Sequence, residues 1–393
     1  MATKRSRGAA APHADEGSHP DFLRLRSAAD RAAKRKLLST PIVQVDPAKA
    51  TSVDAMMRAF TGMSIQARAL GECADIWERA LRDRRRPTIL LGLAGPLIAA
   101  GLRKTIATMV REGLVDAIVS TGAVLYQDVY QARGHDHWRG TPEADDVALR
   151  DLLIDRIYDT YVDEERFWET DVWMGKQADA MGGGIHSTRW YLERIGKLPE
   201  LRRDKDSIVG QAARHGVPMF APALADSSIG IGMTDHLHRA RRAKRERLVL
   251  DTILDNYEIT QLVVRSRGGT AAIYIGGGVP KNYINDSVVM AYVFNVETGG
   301  HRYAFQLTMD QPSTGGLSGS TISEARSWGK VSKVANFRQC QVDVSIGLPL
   351  LVTSMLARKA ARGRGRLELN YVGEQLRPVQ VVGARKGRSA RAR

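Results

Sequence analysis

The sequence predicts an α/β fold: a mainly parallel sheet with helices on both faces and a helical insertion. Two observations predict it. Short apolar runs rich in β-branched residues alternate with longer stretches of helical periodicity, the pattern of a sheet buried on both sides. The 393 residues, 43% of them hydrophobic, suffice for one large α/β domain or two smaller ones. The runs that read as strands are TILLGL (88–93), AIVST (117–121), PMFAP (218–222), AAIYI (271–275), YAFQLT (303–308) and CQVDV (340–344). Between them, the stretch from Pro96 carries Leu97, Ala100, Leu102, Ile106 and Met109 at about helical spacing. The whole of 146–175 also reads as helix, so about 135–205 is expected to be a helical insertion over the sheet. The expected organisation is a disordered basic tail over 1–20, one domain over 21–375, and a basic tail over 376–393, disordered from about Gly383.

The formal net charge of +15 points to an anionic partner only if the charge is gathered on one surface, and much of it is terminal. The internal run HRARRAKRERL, His238 to Leu248, reads as the solvated face of a helix. No aromatic residues interleave these runs, so nucleic acid is not an expected partner. Cys73 and Cys340 lie far apart in apolar contexts, which fits buried, reduced thiols and a cytoplasmic protein rather than a disulfide framework. The N-terminus lacks the apolar stretch of a secretory signal. The most apolar run, Thr88 to Leu102, is shorter than the roughly 20 residues of a membrane span, so no membrane role is expected.

In a doubly wound sheet the chemistry gathers where strands end and helices begin. Gly276-Gly277-Gly278 follows AAIYI, and three glycines there permit positive φ and a close backbone approach to a bound group. GLAGPLIAAG, STGA (120–123) and ADSSIG (225–230) repeat this richness in small residues, and four such loops on one edge read as a nucleotide cleft. Asp343 follows another strand, either as a ribose ligand or as the N-cap of the next helix. A Gly/Ser/Thr-rich segment from Thr308 ends on Trp328-Gly329-Lys330, a loop long enough to close over a substrate. An ordinary lysine has pKa about 10.4, so fewer than about one in a thousand is free amine at neutral pH. An indole in a dry site would disfavour the ammonium and make Lys330 a nucleophile, while a plain cation–π contact is the alternative. His135 and His137 in GHDHW have no third partner at metal-ligand spacing, so that stretch reads as a polar loop and no metal is expected. Neither a Ser-His-Asp arrangement nor a phosphate-binding P-loop is visible.

GLAGPLIAAGLRKTI, PALADSSIG, GGGVPK, SEARSWGK and LPLL, in this order between about Thr88 and Ala357, together resemble deoxyhypusine synthase and its bacterial and archaeal relatives. The resemblance implies a Rossmann-like homotetramer that holds NAD in clefts at subunit interfaces. It implies that NAD oxidises a polyamine such as spermidine, that Lys330 captures the aminoalkyl group as an imine, and that an acceptor amine displaces it. The implied NAD set is Gly95, Ala99, Thr121, Gly122, Ala123, Asp226, Gly277, Thr308 and Asp343. Glu324, Trp328 and Asn282 fall on the substrate side.

Asn282 stands where the eukaryotic enzymes have a histidine that serves as base. An amide takes no proton at neutral pH, so another group must replace it, and His135, His137 and Asp128 are the candidates. Acidic positions that grip the polyamine appear as Gln127, Ile231 and Leu317. The expectation is therefore an NAD-dependent aminoalkyl transferase with a small-amine acceptor, homospermidine-synthase-like. The alternatives are authentic transfer to the lysine of the hypusine-bearing translation factor, and a non-catalytic NAD-binding or assembly protein.

Overall fold

The computed structural model describes Leu23, Leu25 and residues 27–383. The expected disordered tails, 1–20 and the residues beyond Gly383, lie outside these residues. The chain divides into two units, 1–43 and 44–393. In the first, helix Ala28–Leu37 is capped by Ser27, whose Oγ accepts from Asp30 N at 2.9 Å, and the helix buries no residue. The main unit therefore begins at residue 44 rather than at 21.

Six parallel strands form the central sheet: β1 (Thr88–Leu93), β2 (Ala117–Ser120), β3 (Met219–Phe220), β4 (Thr270–Ile275), β5 (His301–Thr308) and β6 (Val331–Gln341). Their spatial order is β6-β5-β4-β1-β2-β3, the doubly wound order of dinucleotide-binding folds, which reverses between β1 and β4. Both faces are covered. Ile89, Leu91 and Leu93 of β1, with Ala271, Ile273 and Ile275 of β4, pack with helices Ile65–Arg82, Arg103–Arg111 and Val344–Ala357. Leu90, Ala272 and Tyr274 point the other way, to helices Thr252–Val264 and Gly278–Met290. This period-two partition explains why the strands read as unbroken apolar runs. At the N-terminal end of the sheet, buried Asp116 accepts from Ile89 N (2.8 Å) and pairs with both Arg86 and Arg364. Burial alone would raise its pKa, but the two guanidinium groups hold it well below the usual carboxylate range.

Several expectations are corrected. Residues 96–101 form turns, and the helix begins at Arg103, after Gly101 at φ +79°. The segment 135–205 is not all helical. Trp138–Arg139, Thr160–Asp163 and Ile154–Ile157 form an antiparallel three-stranded sheet ahead of helix Glu164–Met181. The basic run from His238 is helical only to Arg242, after which the chain turns into strand Leu248–Leu250. The C-terminal segment is ordered as far as strand Gln380–Val382, which pairs with Arg366–Glu368, so 376–382 belongs to the fold. β6 begins at Val331, nine residues before the expected Cys340. Cys73 and Cys340 are buried free thiols, as expected. Among the described residues no helix is long and apolar enough to cross a membrane.

Candidate active site

The C-terminal ends of the six strands form one rim, and each carries an expected cofactor residue. Gly95 and Ala99 follow β1; Thr121, Gly122 and Ala123 follow β2 and open helix Gly122–Ala132; Asp226 follows β3. Gly277 follows β4, Thr308 closes β5, and Asp343 caps helix Val344–Ala357 after β6. The turns after β1 and β4 lie side by side at the point where the strand order reverses. Ala94 N donates to Ile275 O at 3.0 Å, and a Cβ on Gly276 (φ +73°) would lie 2.5 Å from Ala94 O. Only glycine fits such a left-handed, closely approached position. Asp343 serves as an N-cap, its Oδ1 accepting from Ser345 N and Oγ, with no partner for Oδ2 among the described residues.

The Gly/Ser/Thr-rich loop is fastened rather than free. Gly277 packs on Ser318, where an added Cβ would come within 2.5 Å of the Ser318 Cα. Gly278 N donates to Ser318 Oγ (2.9 Å), and Gln306 Nε2 donates to Ser318 O (2.7 Å). Lys281, only 2% exposed, sends Nζ into the same loop, donating to Leu317 O (3.2 Å), Ser320 O (2.5 Å) and Ser320 Oγ (3.0 Å). Burial pushes the Lys281 pKa down to about 8, against the weaker opposing pull of Glu324 and Asp310. The loop then enters the short helix Ile322–Ala325, capped reciprocally by Thr321 and Glu324.

Lys330 precedes β6, and so lies at the start of a strand rather than on the rim. Its side chain reaches helix Gly278–Met290. Nζ pairs with Asp286 Oδ1 at 2.9 Å and donates to Asn282 Oδ1 at 3.3 Å, and Asn282 Nδ2 donates to Asp286 Oδ2 at 2.7 Å. At 1.5 Å rise per residue, Asn282 and Asp286 lie about 6 and 12 Å along the helix from Gly278. The ammonium is thus held on the flank of the helix that starts at the glycine turn. Trp328 places its ring centroid 5.3 Å from Nζ and is 64% exposed, so of the two alternatives the folded chain shows the cation–π contact rather than a dry indole pocket, and a carboxylate stands beside the amine.

Of the candidates for the missing base, none is beside Lys330 in the chain as folded. Asp128 is buried in an ion pair with Arg103 and accepts from Ser207 Oγ, Ile208 N and Val209 N. His135 and His137 pack on Tyr130, and burial pushes His137 down to about 4. Asp286 is the group the sequence reading missed, although its spacing of i, i+4 from Asn282 places both on one helix face. Among the described residues, no group of three or more His, Cys, Asp or Glu could hold a metal.

The family profile of deoxyhypusine synthase matches residues 55–355. The chain belongs to the deoxyhypusine synthase family. It is 41% identical over 318 residues to "Probable deoxyhypusine synthase 2" of Methanosarcina mazei, covering 81% of this chain and 90% of the relative. The Archaeoglobus fulgidus protein of the same name is 43% identical over 292 residues, 74% of this chain and 94% of its own. A "Deoxyhypusine synthase-like protein" of Chlorobaculum parvum is 38% identical over 340 residues, 86% and 95% of the two chains. In fold, the chain resembles the crystal structure of an Entamoeba histolytica protein named as a deoxyhypusine synthase, with TM-score 0.54 and 19% identity over 80% of this chain and 97% of that one. In this deoxyhypusine synthase family member the three neutral positions are occupied as follows. Gln127 is buried, with Oε1 accepting from Ala99 N at 3.3 Å; Ile231 is 57% exposed; Leu317 lies on the loop fastened by Lys281.

Proposed function

We propose that this family member is an NAD-dependent aminoalkyl transferase acting on polyamines, with Lys330 carrying the aminoalkyl group as an imine and a small amine as acceptor, homospermidine-synthase-like. The observation that carries the reading is the setting of Lys330, whose amine is fixed by Asp286 and Asn282 on the helix that opens at the Gly276–Gly278 turn. The rim fits a dinucleotide. The strand order reverses there, and among the described residues Gly95 (φ +102°) has only Leu97 Cδ2, at 3.9 Å, within 4 Å of where a Cβ would stand, and the buried Gln306 Oε1 has no partner. When bound, NAD supplies the redox step by taking up a hydride from a carbon beside nitrogen and returning it. Gly95 leaves room for its backbone approach beside Ala99, Gly277 lets the Ser318 loop close in behind the turn after β4, and the N–H groups of Gly122 and Ala123 at a helix N-terminus suit phosphate oxygens. Asp226, Thr308 and the free Oδ2 of Asp343 suit its hydroxyls.

Lys330 supplies the nucleophile, and Trp328 an exposed aromatic face for an ammonium substrate. The neutral Gln127, Ile231 and Leu317 each remove a charge-assisted contact to a long polycation, which favours a rewritten amine side. The chain is expected to assemble as a homotetramer with its clefts at subunit interfaces, a state that light scattering measures. The test of function is product analysis after incubation with NAD and spermidine or putrescine. Homospermidine formed by the wild type and not by Lys330→Ala supports the proposal, and unaltered turnover by Lys330→Ala refutes it.

A second reading, transfer to a lysine of the hypusine-bearing translation factor, is favoured by the name of the archaeal relatives at 41–43% identity. Labelling of the purified factor from radiolabelled spermidine would establish it. A non-catalytic NAD-binding role predicts NAD binding without product from any amine.

A further inference from the structure

We propose that Asp286 carries the proton to and from Lys330, with Asn282 as its positioning residue. This rests on the reading of Lys330 as the nucleophile. A lysine held as an ammonium cannot attack carbon, so a base within hydrogen-bond reach is required. Asp286 Oδ1 is that group, 2.9 Å from Nζ. The amide of Asn282 fixes the pair. Its carbonyl faces the ammonium and its NH2 faces the carboxylate, the only orientation in which neither contact sets donor against donor or acceptor against acceptor. Both residues sit on one face of helix Gly278–Met290, anchored by buried Tyr283, Ile284 and Val288, so their spacing is set by rigid backbone.

The competing carboxylate, Glu324, is committed to its helix cap, and Lys281 is itself a donor. Exposure separates the two partners: the Lys330 side chain is 15% exposed and that of Asp286 is 42%. A carboxylate that touches the nucleophile yet reaches solvent can hand its proton to an amine that leaves or arrives beside the exposed Trp328.

The exchange balances without an oxidant. One proton passes from Lys330 Nζ to Asp286 Oδ1. The free amine forms a C–N bond to a substrate carbon already at the imine level, and the C–N bond to the departing amine breaks. The departing amine takes the proton from Asp286 and restores the carboxylate. An acceptor amine reverses the sequence. The amide at 282 thus orients a base one helical turn away instead of being one.

The test uses the full chain with NAD and spermidine or putrescine, borohydride trapping, and quantification of the Lys330 adduct over time. Asp286→Ala is expected to form the adduct about 10²- to 10⁴-fold more slowly, the range of a lost general base, and added formate is expected to restore the rate in a concentration-dependent way. Asp286→Asn preserves shape, and is expected to be similarly slow with an unchanged melting temperature. Adduct formation by Asp286→Ala within about threefold of wild type, or a slow rate that formate does not raise, overturns the role of Asp286. Lys330→Ala separates this from the parent reading: turnover by that variant defeats the nucleophile assignment itself, whereas an inactive Lys330→Ala beside a fully active Asp286→Ala defeats only the proton carrier.

Discussion

Gly277→Ala isolates the contact that couples the glycine turn to the Gly/Ser/Thr-rich loop. Gly277 has φ −162°, outside the left-handed region, so the cost of a side chain there is contact with its neighbours. The new Cβ would stand 2.5 Å from Ser318 Cα, 2.8 Å from Ser318 Cβ and 3.0 Å from Ser318 O, whereas carbon atoms settle at about 3.5–4.0 Å. Ser318 must therefore retreat by about 1 Å, against its bonds to Gly278 N and Gln306 Nε2. Overpacking of this kind costs about 1–3 kcal/mol, and one neutral hydrogen bond lost adds about 1 kcal/mol. The expected destabilisation is about 2–4 kcal/mol in urea unfolding, with weakened NAD binding. Gly316→Ala is the control in the same loop, because its Cβ would meet only Thr314 Oγ1, at 3.5 Å. If the two variants unfold within about 0.5 kcal/mol of each other, the packing argument is wrong.

Lys281→Met tests the buried amine. Its folded pKa of about 8 lies below its ordinary 10.5, so between these values the unfolded chain binds more protons and stability rises with pH. Urea unfolding from pH 8 to 10.5 is expected to lose that rising contribution in the variant. Asp116→Asn leaves Arg86 and Arg364 facing a neutral group at a buried site and is expected to cost about 3–5 kcal/mol by calorimetry. Trp328→Ala removes an exposed ring, so it is expected to raise the KM for the amine while leaving the melting temperature within a degree or two. Lys330→Arg keeps the charge but offers no nucleophilic amine, and is expected to form no borohydride-stable adduct.

β1 and β4 are legible because a strand buried on both faces is apolar along nearly its whole length, as TILLGL is after Thr88 and AAIYI is throughout. β6 is not. It is an edge strand whose first half, including Lys333 and Val334, faces solvent, so polar residues there carried no strand signal. The hairpin 154–163 reads as helix from sequence because non-glycine residues hold its bends: Leu153, which leads into it, and Tyr158, in its turn, stand at φ +55° and +57°, where glycine or asparagine would announce a turn. At the site, glycines at strand ends marked the rim, since close backbone approach is a property of residue type. The partner of Lys330 was hidden because pairing across 44 residues of chain depends on where an edge strand begins, and that start was misplaced.

Borohydride trapping followed by mass spectrometry tests the central claim most directly. Purified protein is incubated with NAD and, in turn, putrescine, spermidine and agmatine, then reduced and digested. An aminoalkyl mass increment is expected on Lys330 with at least one amine, and none without NAD. An adduct on a different lysine, or none from any amine while NAD demonstrably binds, would contradict that claim.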